Sequence, residues 1–380
     1  MQFTRLRLEN WRNFLEADVP LESRVFLVGP NAAGKSNFLD AIRFLRDVAD
    51  AQGGLQRAVA TTRRGVSQIR SLHARRNPNV AVEVEVELAD DEHWTYRLEF
   101  TQDNQRRPVI KREEVKHGED TLLSRPNKRD LADPELLTQT HLEQVNTNRQ
   151  FRELAEFFAK VRYLHLVPQL VREPDRSTGR ANDPFGGDFL EQLARTTSKT
   201  LDSRLKRITN ALRVAVPQLE KLELKRDERG VPHLQGRYKH WRPNAGWQNE
   251  TQLSDGTLRL LGLLWVFLDG TAPLLLEEPE LSLHSAVARH IPQILARLSR
   301  KNARQVFVST HSADLLSDEG IGAEEILVLS PREEGTQVEV AKDDEQIREL
   351  LEGGLSAADA ILPRTAPKDA AQLALFGGAS

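Results

Sequence analysis

An eight-residue run near the N-terminus constrains this chain more than any other feature, because it lies between an apolar segment and a segment of helical periodicity. It reads Gly29-Pro30-Asn31-Ala32-Ala33-Gly34-Lys35-Ser36 and fits the pattern G-x-x-x-x-G-K-[ST]. Such a loop turns its backbone N–H groups towards phosphate oxygens at the start of a helix, where the helix dipole favours negative charge. The pattern predicts a strand at 24–28, a phosphate-binding loop and a helix at 36–49. The alternative is an ordinary glycine-rich turn.

The residue types in the loop predict ATP and Mg²⁺ as cofactors. Lys35 is expected to neutralise the β- and γ-phosphates, and the Ser36 hydroxyl is expected to ligate Mg²⁺. The predicted nucleotide-binding residues of this segment are Gly29, Pro30, Asn31, Ala32, Ala33, Gly34, Lys35, Ser36 and Asn37.

Two adjacent carboxylates, Glu277 and Glu278, close an apolar run that begins at Pro273. Side chains alternate along a strand, so neighbouring carboxylates face different ways and cannot do the same job. We expect Glu277 to face the Mg²⁺ ion and Glu278 to polarise the attacking water. The alternative is a pair of surface carboxylates at a strand end.

A histidine, His311, follows a second apolar run, which starts at Val306. A strand there would bring the imidazole to the same edge as the loop, where it could hydrogen-bond the γ-phosphate or the water. A lone histidine is more often structural or solvated. The assignment of His311 to the site therefore rests on its position after the predicted strand and not on its residue type. The predicted catalytic residues are Lys35, Glu278 and His311.

The segment Leu253–Thr257 opens an apolar helix expected at 255–268. Ser254, Asp255 and Gly256 offer N–H groups and a hydroxyl at a helix N-terminus, which is a second anion site. One ATP cannot readily use two such sites within one protomer. A homodimer can, if each protomer lends this segment to the γ-phosphate bound by its partner. The alternative is a plain helix cap by Ser254 or Asp255.

The remaining pattern alternates between strand and helix signals. Period-two alternation predicts three antiparallel strands, around 80–88, 94–100 and 109–115. Residues 136–161 indicate a mostly helical segment, followed by an amphipathic helix at 201–212 and a hairpin at 219–240.

Regular alternation returns in the C-terminal part and predicts a parallel sheet. The expected elements are a strand at 273–277, a helix at 282–300 and strands at 305–309 and 325–329.

In order and spacing these segments resemble the ABC-type ATPase heads of the RecF, Rad50, SMC and OLD proteins. The likeness is greatest to the bacterial AAA-family ATPases of the AAA_21 type. The opening residues 6–14 resemble the first strand of that group, whose Arg-Asn pair approaches the nucleotide, so Arg12 and Asn13 join the predicted nucleotide-binding residues. Glu277 stands where Asp is usual, Ser285 stands where Pro is usual, and Gln169 is a weak match to the Q-loop.

The resemblance implies an α/β P-loop NTPase fold of ABC-ATPase type. It combines a mixed, largely parallel sheet core with an antiparallel meander and a mainly helical insertion. The expected divisions are an ATPase lobe at 1–120, the insertion at 121–218, a second ATPase lobe at 219–361 and a flexible tail at 362–380.

The resemblance also implies an ATP-hydrolysing dimeric switch in DNA maintenance or antiphage defence, with a separate effector protein. The alternative is a scaffold that holds ATP without turnover and recruits a toxin or nuclease. The segment after His311 is short for a Toprim nuclease domain. A P-loop kinase is disfavoured by the segment at Ser254 and by His311.

Composition narrows the expected partners and compartment. A net charge of −3 means that duplex DNA would have to meet local patches, for which Arg63–Arg76 and Arg195–Arg213 are the candidates. The absence of cysteine excludes disulfides and thiolate metal sites. The longest apolar run, at 260–268, is about half the length of a bilayer span. We therefore expect a cytoplasmic protein without a membrane partner.

Overall fold

The structure is a computed structural model that describes residues 1–75, 77–87, 92–173, 183–242 and 246–366. These residues form three sheets with helices packed between and around them. Within the described ranges, no helix has both the length and the apolar character that crossing a bilayer requires.

The strands, numbered along the chain, are β1 (Gln2–Trp11), β2 (Phe14–Pro20), β3 (Arg24–Val28), β4 (Val80–Glu87), β5 (His93–Gln102), β6 (Pro108–His117), β7 (Asp120–Arg125), β8 (Arg162–Leu164), β9 (Leu219–Arg226), β10 (Pro232–Tyr238), β11 (Trp247–Asn249), β12 (Leu274–Glu277), β13 (Val306–Thr310), β14 (Ile326–Arg332) and β15 (Gly335–Val340).

The helices are α1 (Lys35–Ala49), α2 (Val66–Ile69), α3 (Lys128–Ala132), α4 (Arg152–Ala159), α5 (Pro168–Arg172), α6 (Phe189–Arg195), α7 (Ser198–Ala215), α8 (Asp255–Phe267), α9 (Ser285–Ala288), α10 (Ile291–Asn302), α11 (Ala313–Leu316), α12 (Glu345–Glu352) and α13 (Ala357–Thr365).

The central sheet has the order β15-β14-β3-β13-β12-β8. Its strands from β14 to β8 are parallel, and β15 is an antiparallel edge strand. The strands β3, β12 and β13 are buried along nearly their whole length, as parallel strands covered on both faces must be. Their C-terminal ends lead into the loop before Lys35, Glu278 and His311, so the sheet brings all three to one edge.

A six-stranded antiparallel sheet, β2-β1-β4-β5-β6-β7, contributes to one core with α1 and one face of the central sheet. The other face of the central sheet packs on α10, α11 and α13. A third core joins α6, α7 and α8 to the small sheet β11-β10-β9. The predicted α/β class, with a largely parallel core and an antiparallel meander, is confirmed.

Several local predictions were wrong. The expected helix at 282–300 is two helices, because Pro292 in the first turn of α10 has no N–H to continue the helix from α9. Residues 139–148 form turns rather than helix, and Asn148 Nδ2 donates to Leu142 O at 3.0 Å within them. Residues 362–365 end α13, and 367–380 lie outside the described residues, so the flexible tail predicted at 362–380 stays a prediction.

The predicted helical insertion at 121–218 contains strands of both larger sheets. Strand β7 pairs with β6 of the antiparallel sheet, and β8 pairs with β12 of the central sheet. The segment also contains the helices α3 to α7, and both the mainly helical insertion and the lobe boundaries stay a prediction.

Arg63 is buried, which contradicts its predicted place in a DNA-binding patch. Its guanidinium donates to the Asp40 carboxylate at 2.7 and 2.9 Å and to Asp47 Oδ2 at 3.0 Å, which ties the segment after α1 to that helix. Burial acts to raise the pKa of Asp40, but the charge and hydrogen bonds of Arg63, together with the charges of Arg43 and Arg12, lower it. Arg76, at the end of the patch, lies outside the described residues.

Replacing Arg63 with methionine should destabilise the protein by about 1–3 kcal/mol, because the partly buried carboxylates of Asp40 and Asp47 lose their shared buried partner and keep only other arginines. Urea unfolding gives the free-energy change. Arg64→Met is the matched control: Arg64 is the exposed neighbour, and its loss should cost under about 0.5 kcal/mol. Equal losses in the two variants would contradict a structural role for Arg63.

Candidate functional site

The loop at 29–34 is shaped by two close approaches that only glycine allows. Gly34 has a φ of 98°, and a Cβ there would overlap the Asn13 side chain. A Cβ at Gly29 would lie 2.6 Å from Leu329 O of β14. The loop is thus packed between the β1–β2 turn and the central sheet before α1 begins.

Lys35 lies almost fully buried at the start of α1. Its Nζ donates to Gly29 O at 2.7 Å and Pro30 O at 3.1 Å, so the loop carbonyls hold the ammonium group. Burial lowers the pKa of Lys35, and the charges of Glu278 and Glu277 act in the opposite direction. The loop therefore surrounds a single cation held next to the carboxylates of the β12 end.

Asn13 joins the loop to its surroundings through its side-chain amide. Its Nδ2 donates to Ala33 O at 2.8 Å and to Thr336 Oγ1 at 2.6 Å, and its Oδ1 accepts from Asn37 Nδ2 at 2.8 Å. In this structure the amide positions the loop, and its predicted contact with nucleotide stays a prediction.

Arg12 lies against the flank of α1. Its Nη1 donates to Gln68 O at 2.8 Å, and its Nη2 is 3.5 Å from Asp40 Oδ2. The nucleotide-binding role assigned to Arg12 stays a prediction.

Glu277, at the end of β12, contacts side chains of α1 and β8. Its carboxylate accepts hydrogen bonds from Ser36 Oγ of α1 and from the Tyr163 hydroxyl of β8. Burial raises the pKa of Tyr163, so its hydroxyl stays protonated and donates. His165 Nδ1 lies 3.3 Å from the Glu277 carbonyl oxygen. Ser36 and Glu277 thus place two hard oxygen ligands together, a set that fits Mg²⁺ completed by phosphate oxygens and water.

Glu278 lies one residue beyond β12, and its carboxylate contacts a different side chain from those that contact Glu277. Its backbone has a φ of 43°, and its N–H donates to Ser309 O at 3.0 Å. Its Oε1 lies 3.0 Å from His311 Nδ1. The side chains of Glu278 and His311 are 23% and 48% exposed, so a water could reach both.

Glu280, one turn further, is a buried carboxylate that the sequence did not single out. It accepts a 2.5 Å hydrogen bond from Thr310 Oγ1, while its Oε2 has no hydrogen-bond partner among the described residues. Burial raises the pKa of Glu280.

Arg259 of α8 is a second group that the sequence did not single out. Its Nε is also buried without a hydrogen-bond partner in the described ranges. Burial lowers the pKa of Arg259, and the charges of Asp255, Glu278 and Glu280 act in the opposite direction.

The segment at Ser254 forms a capped helix start on the surface. Ser254 Oγ accepts from Thr257 N at 3.2 Å, as in the alternative that the sequence left open. Asp255 pairs with Arg172 of α5 at 2.6 Å, and Arg172 also donates to Leu253 O at 2.7 Å. A Cβ at Gly256 would lie 2.6 Å from Ser282 O, so this segment touches the turn that follows Glu278.

Three contacts of the site lay beyond sequence reasoning. Tyr163 belongs to a three-residue strand without a clear period, His165 directly follows that strand, and Arg172 belongs to a short helix. The weak Q-loop match, Gln169, donates to Glu173 on the surface. The one available signal was the Tyr-Leu-His run before Pro168.

A cavity of about 420 Å³ opens beside the β1–β2 turn that carries Asn13. It is lined by Asn10, Leu15, His73, Ala74, Arg75, Asn77 and Glu334. In the described ranges, no cluster of three or more His, Asp or Glu side chains could hold a metal ion by itself.

Some basic side chains of 195–213 form ion pairs, and others are exposed to solvent. Arg204 pairs with Asp269 at 3.1 Å and lies over the Trp265 ring. Lys199, Lys206 and Arg207 are exposed on α7.

Comparison with solved structures finds the fold in the heads of SMC proteins. "Crystal structure of the SmcHead bound to the C-winged helix domain of ScpA" matches with a TM-score of 0.54 and 13% identity, covering 89% of this chain and 98% of that chain. An SMC head with an extended coiled coil, bound to the C-terminal domain of ScpA from Pyrococcus furiosus, matches with a TM-score of 0.50 and 13% identity, covering 92% and 99%. The SMC head domain from Thermotoga maritima matches with a TM-score of 0.46 and 15% identity, covering 90% and 99%.

No curated protein matches the sequence closely enough to serve as a relative. Residues 24–318 match the family AAA_21, described as "AAA domain, putative AbiEii toxin, Type IV TA system". This match spans more than half of the chain and includes the loop before Lys35, both carboxylates of the β12 end and His311. The protein is therefore a member of the AAA_21 family of AAA-domain ATPases, and its fold is similar to that of SMC heads.

Proposed function

We propose that the protein is an ATP-hydrolysing switch that works as a homodimer. Two ATP molecules would each lie between the loop before α1 of one protomer and the N-terminus of α8 of its partner. The observation that carries this proposal is the presence of two phosphate-compatible helix starts, at Lys35 and Ser254, with one set of hydrolytic groups beside α1. Ser254 and Asp255 are exposed and accessible to a second protomer.

The site residues fit hydrolysis by positioning and charge. Mg²⁺ held by Ser36 and Glu277 would neutralise charge on the β- and γ-phosphates. Lys35 contributes a fixed positive charge inside the loop. Glu278, hydrogen-bonded to His311, is placed to orient and deprotonate the attacking water.

The contacts around α8 would couple dimer formation to hydrolysis. Gly256 packs on Ser282, which belongs to the turn that holds Glu280. Arg172 of α5 donates to Leu253 O, and α5 follows Tyr163 of β8 and the next residue but one, His165, which both contact Glu277. An ATP molecule bound by the partner protomer, with its γ-phosphate at the N-terminus of α8, would therefore affect the positions of Glu277 and Glu278.

We also propose that the cavity beside Asn13 receives the adenine base. It borders the turn whose amide fixes the phosphate loop, and His73, Arg75 and Glu334 offer ring stacking and hydrogen-bonding groups. Arg75 and Glu334 lie 3.8 Å apart across its mouth.

The output of the switch would be DNA handling or control of a separate effector, in DNA maintenance or antiphage defence in the cytoplasm. The family description names a toxin and a toxin–antitoxin system, and the SMC heads of similar fold were solved with the protein ScpA. Duplex DNA would meet the exposed cations of α7, since Arg63 is buried.

Glu278→Gln should bind ATP, slow its turnover by roughly 100- to 10,000-fold and accumulate a dimer, because the water loses its base while the nucleotide contacts remain. Light scattering with and without ATP reports the mass, and Lys35→Ala is the control that should stay monomeric. If the Glu278→Gln variant shows no ATP-dependent gain in mass, the sandwich proposal is wrong.

Ser254→Asp should abolish ATP-dependent dimerisation and turnover, because it keeps a helix cap while placing a carboxylate against the γ-phosphate of the partner site. Equal amounts of Ser254→Asp and Lys35→Ala protomers should recover turnover, because one composite site then has both intact groups. A mixture as inactive as its two components would show that Ser254 does not act across a dimer.

Steady-state ATP turnover should rise when linear duplex DNA is added, with Lys35→Ala as the blank. Lys206→Glu together with Arg207→Glu should remove the stimulation and leave the basal rate, because α7 lies outside the hydrolytic set. Negligible turnover with or without DNA would support the ATP-bound scaffold instead of the switch.

A further inference from the structure

Positive charge is concentrated in one stretch of an otherwise acidic chain. Residues 198–242 contain 12 Lys and Arg against 5 Asp and Glu, although the chain as a whole has a net charge of −3. The stretch builds α7 and the strands β9 and β10. Charge asymmetry of this kind indicates a local polyanion-binding surface.

The sheet β11-β10-β9 has one covered and one open face. Leu222 and Leu234 face inward and pack in a core with α7 and α8. The outward residues include Lys221, Lys225 and Arg237, whose side chains are 56%, 54% and 46% exposed. Because α7 packs on the inner face, its own exposed cations lie on the opposite side from these three.

Two tryptophans accompany the outward cations. Trp247 pairs with Arg237 across β10 and β11, with Lys225 Nζ 4.8 Å and Arg237 Cζ 5.9 Å from its ring centroid. Trp241, in the β10–β11 connection, is 79% exposed. It stacks on His240 at 5.7 Å and lies 4.4 Å below the Arg242 guanidinium. The Trp241 ring is therefore held between an imidazole and a guanidinium and remains open to solvent beside the outward cations.

The carboxylates on this face do not cancel its charge. Glu223 is shared by Lys221 and Lys225 at 2.8 and 2.7 Å, and Glu220 pairs with Arg237 at 3.0 Å. Three cations therefore share two carboxylates. Exposed pairs of this kind are weak, and a phosphate can replace the carboxylate at little cost.

We propose that this aromatic–basic face, formed by Lys221, Lys225, Arg237, Trp241 and Trp247, binds single-stranded nucleic acid. Exposed indole rings stack on unpaired bases, while the cations contact the phosphates between them. The bases of a duplex stack on one another and offer no free ring faces, so the tryptophans favour a single strand. The inference goes beyond the nucleotide switch, since the face is formed within one protomer and uses none of the residues at the ATP site.

Binding should be measured by fluorescence anisotropy of a labelled oligothymidine of about 20 nucleotides, without ATP, against a labelled duplex of equal length. The single strand should bind more tightly. Trp241→Ala should weaken its binding roughly 5- to 100-fold, and Trp241→Phe should restore much of the loss. Trp241 is exposed, so these changes should leave the fold and the basal ATP turnover intact.

Matched variants separate this face from other surfaces. Leu131→Ala removes another exposed apolar side chain, and Lys199→Glu with Lys206→Glu reverses charge on the opposite side. Neither should weaken single-strand binding as much as Lys225→Gln with Arg237→Gln. In the Lys199→Glu with Lys206→Glu variant, in which the duplex-binding cations of α7 are reversed, equal affinity for single strand and duplex would overturn the proposal, as would unchanged single-strand affinity in Trp241→Ala. The dimer and turnover measurements would be unaffected by that failure.

Discussion

The Asn13 side chain is the contact on which the rest of the site depends. One amide links the β1–β2 turn of the antiparallel sheet to the phosphate-binding loop, to the first turn of α1 and to β15 of the central sheet. The loop can approach this amide only because Gly34 has no side chain. The two sheets and the loop are therefore positioned together, so the orientation of Lys35 depends on the docking of the antiparallel sheet as well as on the loop sequence.

Around this fixed point, the charged groups of the site are arranged by the edge of one sheet. The C-terminal ends of strands β3, β12 and β13 bring a cation, two carboxylates and an imidazole to neighbouring positions, where Glu277 contacts Ser36 and Glu278 contacts His311. Strand β8 adds Tyr163 at the next position. A parallel sheet thus converts four distant sequence segments into one reactive edge without any of them being a flexible loop.

The sequence predicted the elements that depend on interactions between residues close together in the chain. The loop at 29–36, the apolar strands and the alternating strands of the meander follow from patterns a few residues long. What could not be predicted depends on distant partners. Arg63 was predicted to be a surface cation because its partners, Asp40 and Asp47, cannot be identified from the sequence pattern. Strand β8 was not predicted because it has only three residues and is held by its pairing with β12. The contacts of Arg172 and Arg259 are tertiary and leave no trace in the spacing of residues.

The backbone of Glu278 has a consequence for the energetics of the whole chain. A glutamate at a φ of 43° lies in a conformation that costs roughly 1 kcal/mol or more, and the buried Lys35 and Glu280 add further unfavourable terms at the same edge. A nucleotide that relieves them would raise the melting temperature beyond what its contacts with the loop alone provide. By such thermodynamic linkage, the lifetime of the folded protein in a cell would follow the supply of nucleotide.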